Sequence, residues 1–235
     1  MRRREDSNLR WGFPHAAFRV RCLQPLSHVS KRHHIIPHFI AIINGLVYAH
    51  RVKNRALKAI YIYNGIFVFA GSLLGPLYAV YVGLIDRDIL AISFTWTAFL
   101  LSTVAFTFII SRVGDGVREK EYLMIGGFAV RAVVWYLYIF VASIPQLILL
   151  QIFLGFGEAL GTPSFKAIFA EHLDKGKQIK EYADWELVAR TVTGGGTLAG
   201  GFVASKFGFP WLFASMSILA VVAFIGILFQ PRKLL

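Results

Sequence analysis

The sequence predicts an all-α, polytopic membrane protein in which six transmembrane helices form two inverted repeats of three helices. Three observations support this fold class: an apolar composition, six long apolar runs, and a Gly/Pro pattern that recurs in the first and fourth runs. Hydrophobic residues make up 56% of the 235 residues and charged residues only 16%. A soluble globule of this size could not cover so much apolar surface, so we expect the lipid bilayer to surround most of the chain.

Each of the six runs is long enough for a helix to cross about 30 Å of hydrocarbon, which takes roughly 20 residues. The runs are Ala59 to Ile85, Ile89 to Ser111, Tyr122 to Ala142, Gln146 to Phe169, Glu186 to Ser205 and Phe207 to Gln230. With a cytoplasmic N-terminus, the inside connections and the C-terminal end carry eight Lys and Arg residues and the outside connections carry two. Basic residues favour the cytoplasmic side. We therefore expect an integral protein of the plasma membrane (the inner, cytoplasmic membrane) with both termini in the cytoplasm.

The net charge of +12 is concentrated in the first 58 residues, which hold 12 of the 25 basic and 2 of the 13 acidic residues. Residues 1–33 are predicted to be a disordered or spurious basic leader, because Arg4 to Arg10 resembles a translated transfer-RNA gene. A true start near residues 30 to 40 would follow. Residues 34–57 are interpreted as an amphipathic interfacial helix and a basic hinge, and residues 58–233 as the six-span domain. A charge so confined to one end gives no support for binding nucleic acid.

The stretch from Ile35 to Ala49 has two other interpretations, a seventh span or a signal-peptide core. Either one would place the lysine-rich connections outside, against the charge bias. The single cysteine, Cys22, excludes an internal disulfide, and no Cys/His spacing predicts a metal site.

An internal repeat links the first and fourth runs. Gly71-x-x-x-Gly75 is followed at once by Pro76, and Gly157-x-x-x-Gly161 is followed after one residue by Pro163. Small residues four apart allow close helix contact, and proline inside a span loosens the backbone ladder. Because the fourth run comes three spans after the first, an odd number, the two motifs enter the membrane from opposite sides. Inverted triplets with interrupted helices are typical of transporters, so these six residues are predicted to mark helix breaks that line a path.

Several segments resemble the N-terminal six-helix half of a major facilitator superfamily transporter. Residues 111–120 match the family's Gly-x-x-x-Asp-Arg-x-Gly-Arg-Lys connection at Asp115 and Lys120, and the fourth run has its Gly-x-Gly core. Residues 196–213 resemble the Gly-rich fifth span and the turn after it, with Thr197 in place of the antiporter proline. The resemblance implies a cytoplasmic gate at Asp115, Arg112 and Arg118.

The resemblance also implies an incomplete cavity. Full members of the family have twelve spans with the substrate cavity between two six-span halves, whereas this sequence contains six. We expect a half-transporter that moves a small solute after pairing with a second six-span bundle, either another copy or a separate chain. The alternative is a truncated or split-gene fragment, or a membrane scaffold, without transport activity of its own.

Charges inside spans are costly and are candidates for function. Arg131 lies 14 residues before Pro145 and Glu158 lies 13 residues after it, so the two share a depth of about 20 Å on a helical hairpin. An ion pair between them is expected, either as a static packing contact or with Glu158 binding a proton or cation on the path. The weaker polar candidates on the path are Gln151, Asn64 and Ser72.

An intramembrane enzyme is the remaining class. Asp115-Gly116 lacks the spacing and the later aspartates of lipid head-group transferases, and His172 has no serine elbow near it. We therefore expect a protein that is not an enzyme and needs no cofactor.

Overall fold

All regular secondary structure in the described part of the chain is helical. The computed structural model describes residues 55–117 and 119–230, without the side chains of Arg55, Ala56 and Asp115. Outside this part lie the predicted leader (residues 1–33), residues 34–54 of the predicted interfacial helix and hinge, Arg118, and residues 231–235. The α-helices are α1 (Arg55–Ser72), α2 (Leu77–Ile85), α3 (Ile89–Val113), α4 (Lys120–Leu137), α5 (Ile144–Glu171), α6 (Gln178–Phe207) and α7 (Phe209–Leu228), with 3-10 turns at Gly114–Gly116 and Tyr138–Phe140.

Within the described residues, four helices have the length and composition of a membrane crossing, and the number rises to five if one bent pair of helices is counted as a single span. Helices α3, α5 and α7 qualify singly, as does α4 together with its 3-10 turn, and α1 and α2 qualify together as one span bent by 44°. The segment for the fifth run, α6, is 30 residues long but falls short in apolar character. Its N-terminal half carries Glu186 and Arg190, and its middle is rich in glycine.

The break between α1 and α2 occurs where the sequence places Gly75 before Pro76. The ring of proline disfavours an α-helical conformation in the residue before it. Gly75 meets this constraint with a φ of +23°, a value that only glycine adopts cheaply. The chain then turns through Leu73 to Pro76 before α2 begins.

The expected break in the fourth run is not found. Helix α5 continues through Pro163, so Gly157, Gly161 and Pro163 lie in an unbroken helix. The residue before Pro163 is the β-branched Thr162, which cannot take a positive φ without strain. Thr162 therefore cannot adopt the backbone conformation of Gly75, at which the first span breaks. The two Gly/Pro motifs therefore share a spacing but differ in backbone path.

A few helix pairs make most of the contacts in the bundle. Helix α5 packs along α3 and α4, α1 packs along α6 and α7, and α4 packs across α7. If the first three predicted spans are exchanged with the last three, α1 corresponds to α5, α3 to α6 and α4 to α7. The α5–α3 pair then corresponds to α1–α6, and the α5–α4 pair to α1–α7. The inverted arrangement of the two triplets stays a prediction.

Two close crossings have the same local geometry. A Cβ atom added to Gly155 of α5 would lie 2.0 Å from the Ser102 hydroxyl of α3, and one added to Gly196 of α6 would lie 1.9 Å from the Ser72 hydroxyl of α1. Each serine turns back to the carbonyl three residues earlier, at 2.9 Å for Ser102 and 2.8 Å for Ser72. Both crossings thus depend on a glycine that lets a neighbouring backbone approach.

Candidate functional site

An ion pair lies at mid-depth between α4 and α5. Arg131 Nη1 is 2.7 Å from Glu158 Oε2, and Glu158 stands 14 residues after the start of α5 and 13 before its end. The pair expected from the depth argument is therefore present. Arg131 as a whole is only 9% exposed, which places its charge among the buried side chains of the bundle.

The guanidinium of Arg131 occupies a slot formed by glycines. A Cβ atom at Gly161 would lie 2.5 Å from Arg131 Nη2, and one at Gly157 would lie 2.9 Å from Arg131 Cγ. Across the same contact, a Cβ atom at Gly127 of α4 would lie 2.7 Å from Gly161 Cα. The Gly157-x-x-x-Gly161 motif therefore makes room for a charged side chain as well as for a close helix crossing.

Two further groups complete the surroundings of the pair. The ring of Phe67, from α1, lies 4.4 Å from the Arg131 guanidinium carbon and is stacked on Phe128. An aromatic face stabilises a cation, the more so away from water. On the acidic side, the hydroxyl of Thr162 donates a hydrogen bond to Glu158 Oε1. Arg131 Nε also points to the carbonyl oxygen of Gly127, at 3.4 Å.

A second polar group lies nearer the α4–α5 turn. Gln151 is fully buried, its Nε2 donates to the hydroxyl of Tyr78 on α2, and its Oε1 accepts from the hydroxyl of Tyr138 at 3.0 Å. Tyr81 in turn donates to the carbonyl oxygen of Tyr138 at 3.0 Å. The network joins the broken first span to α5. The sequence predicted Gln151 but not Tyr78, Tyr81 or Tyr138. Their only indication in the sequence is a hydroxyl group within an otherwise apolar run.

The other two predicted path residues lie in helix contacts. Asn64 is buried within α1, and Ser72, the last residue of α1, faces Gly196 of α6. The carbonyl oxygen of Ser72 accepts a hydrogen bond of 3.4 Å from the hydroxyl of Thr197. The structure therefore does not bring Ser72 to the Arg131–Glu158 pair.

The predicted gate is described only in part. Arg112 lies in the last turn of α3 with its guanidinium carbon 4.7 Å from the Phe108 ring centroid, while Arg118 and the side chain of Asp115 lie outside the described residues. Close by, Lys120 and Glu171 pair across the ends of α4 and α5 beside a cavity of about 120 Å³ between α3, α4 and α5. In the exposed α5–α6 connection, the hydrogen bond from Lys177 to Asp174 raises the pKa of Lys177.

The fold and this site define an α-helical integral membrane protein with a charged pair inside its helix bundle. The model of the Major Facilitator Superfamily matches residues 60–234, and the chain belongs to that family of transporters. It is similar to an uncharacterised MFS-type transporter, YitZ, of Bacillus subtilis (strain 168), with 23% identity over 151 residues. The similarity covers 64% of this chain and 92% of the relative. The relative is thus itself only about 160 residues long.

Proposed function

We propose that this protein is a half-transporter that moves a small solute across the membrane by alternating access, after pairing with a second six-span bundle. The Arg131–Glu158 pair is the observation that carries the proposal. Six spans, two inverted triplets and both termini in the cytoplasm complete the proposed arrangement. Solute passage would follow the helices that carry the two Gly/Pro motifs.

The position of Glu158 supports a path beside α5. A carboxylate at the middle of a span is costly in hydrocarbon, and such residues usually face a bundle interior or a water-filled cavity. The Glu158 side chain is 30% exposed, against 11% for that of Arg131. We infer that its open side faces the solute path, where the carboxylate binds and releases a proton or a cation while Arg131 holds it in place.

Pairing is supported by the size of the matched region. The family match begins at residue 60 and covers only six predicted spans, which would supply one wall of a cavity that twelve-span members build from two halves. The relative from Bacillus subtilis is of similar size. A second copy or a separate six-span chain would supply the other wall.

The coupling role is tested by uptake in proteoliposomes under an inward proton gradient. The solutes are radiolabelled glucose, alanine, lactate and phosphate, and the variants are Glu158→Gln and Glu186→Gln. Glu186 pairs with Arg190 on the exposed side of α6, so it is a matched loss of charge outside the site. We expect Glu158→Gln alone to abolish proton-driven uptake. Uptake that keeps its size and pH dependence in Glu158→Gln would refute the coupling role.

Pairing is tested separately by crosslinking in native membranes, followed by mass analysis of the products. A homodimer or a defined complex with one other six-span chain supports transport by a paired bundle. A monomer that forms no product and is rapidly degraded supports the alternative of a fragment or scaffold without transport activity.

A further inference from the structure

The two members of the mid-membrane pair differ in how firmly they are held. Arg131 is confined by Gly157, Gly161 and the Phe67 ring, so its guanidinium has little room to move. Glu158 is held by two hydrogen bonds, from Arg131 and from Thr162, and its side chain is nearly three times as exposed. The cation of the pair is therefore fixed, and the anion is the part that can be replaced.

No other described charge lies at the depth of the pair on the helices packed against it. On α1, α3, α4, α5 and α7, the remaining described charged residues lie toward the helix ends. They are Lys58, Arg112, Lys120, Glu121, Lys166 and Glu171. The nearest along α5 is Lys166, two turns from Glu158 and about 12 Å away along the axis. When Glu158 takes up a proton, the charge of Arg131 consequently has no local counter-ion.

An uncompensated guanidinium in a low-dielectric surrounding is strongly unfavourable, and arginine keeps its proton in proteins. The geometry points to a solute of one chemical class: we propose that a small carboxylate takes the place of Glu158 on Arg131 when Glu158 is protonated. The planar guanidinium matches a carboxylate with two parallel N–H groups. This inference rests on the proposed function and names its solute.

The exchange has a defined charge balance. One proton from water neutralises Glu158, and one monocarboxylate restores the negative charge beside Arg131, so the site carries the same net charge before and after loading. Proton and solute would therefore cross together without net movement of charge. A pH gradient alone would drive uptake, and the membrane potential would not.

The first test asks whether the site accepts a free carboxylate, and it needs no knowledge of the natural solute. In the purified full chain, Glu158→Ala removes the carboxylate and leaves a space beside Arg131. We expect sodium acetate to raise the thermal unfolding temperature of this variant more than acetamide or sodium chloride does at equal concentration. The matched control, Glu186→Ala, should show no preference for acetate. An equal response to acetate and acetamide in Glu158→Ala would overturn the inference.

The second test measures the linkage between proton and anion in the intact site. Binding of radiolabelled acetate is followed at pH 6, 7 and 8 in the wild type and in Glu158→Gln. While Glu158 is ionised, wild-type affinity should rise about tenfold for each unit that the pH falls, because one proton binds with each anion. Glu158→Gln should bind acetate with no dependence on pH over this range. Acetate binding that is independent of pH in the wild type would contradict the exchange.

The failures of the two proposals can be told apart. If a neutral solute shows proton-driven uptake that depends on Glu158, and acetate does not bind, then the carboxylate assignment is wrong and the coupling role stands. If proton-driven uptake survives Glu158→Gln, the coupling role fails first and the solute assignment fails with it.

Discussion

The hydroxyl of Thr197 donates a hydrogen bond to the carbonyl oxygen of Ser72, 3.4 Å away across the α1–α6 crossing. This carbonyl lies four residues before Pro76, which has no N–H to offer it. A side chain from α6 therefore supplies a partner that proline removed from α1. Thr197 thereby stabilises the broken first span.

Replacing Thr197 with valine tests this contact. Valine keeps the shape of threonine and loses the hydroxyl, so the Ser72 carbonyl is left without its donor from α6. We expect a loss of about 0.5–1 kcal/mol in the free energy of unfolding, at the low end for a hydrogen bond because the bond is long. Unfolding in mixed micelles of increasing dodecyl sulfate content measures it. Thr197→Ser keeps the hydroxyl and should lose less, and equal losses in both variants would argue that the methyl group matters instead.

Neighbouring glycines in α4 allow a matched comparison. A Cβ atom at Gly127 would lie 2.7 Å from Gly161 Cα and 2.8 Å from the Gly157 carbonyl oxygen, so Gly127→Ala must push α4 and α5 apart. At Gly126 the nearest atom is Leu160 Cδ1 at 3.8 Å, an ordinary contact. We expect Gly127→Ala to cost about 1–3 kcal/mol of stability. Gly126→Ala should be neutral or should gain up to about 1 kcal/mol from helix propensity.

The separation of the α4 and α5 backbones gives a second measure of the same change. Gly127→Ala should also weaken the contact between Arg131 and Glu158, since the added methyl group would press on Gly157 and Gly161, which form the slot around the guanidinium. A variant of Gly127 as stable as that of Gly126 would show that the two helices have room to spare at this crossing.

The buried amide of Gln151 is predicted to stabilise the α2–α5 contact. Gln151→Leu removes the acceptor for Tyr138 and the donor to Tyr78, which leaves two tyrosine hydroxyls without this partner. The expected loss is about 1–3 kcal/mol in the free energy of unfolding. Gln146→Leu makes the same change at an exposed position in the first turn of α5, where it removes one hydrogen bond, from the Ala142 amide at 2.9 Å, so it should cost less. Similar losses in both variants would contradict a specific role for the buried network.

The Arg131–Glu158 pair could be predicted from sequence because both residues are counted from one turn at Pro145 on regular helices. Depth along a helix follows from the rise per residue and needs no knowledge of rotation. The Gln151 network depends on the direction in which Tyr78 and Tyr81 of α2 point after the break at Pro76. The repeat pattern does not predict how α2 is rotated about its axis.

The two Gly/Pro motifs show the same limit. Their spacing predicted two interrupted helices, yet only the motif in which glycine directly precedes proline interrupts its helix. One residue, Thr162, separates the two outcomes, because its side chain excludes the backbone conformation that Gly75 adopts. Local stereochemistry at that residue outweighs the similarity of the motifs.

A double-mutant cycle on Arg131 and Glu158 separates packing from transport. Arg131→Met alone leaves a carboxylate unpaired inside the bundle, and Glu158→Met alone leaves the guanidinium unpaired, so each should cost about 3–5 kcal/mol. The double variant buries no charge and should recover most of that stability, as measured by unfolding in mixed micelles. It should nevertheless show no proton-driven uptake in proteoliposomes, because neither the proton site nor its fixed cation remains. Uptake by the stable double variant would show that the pair serves packing alone.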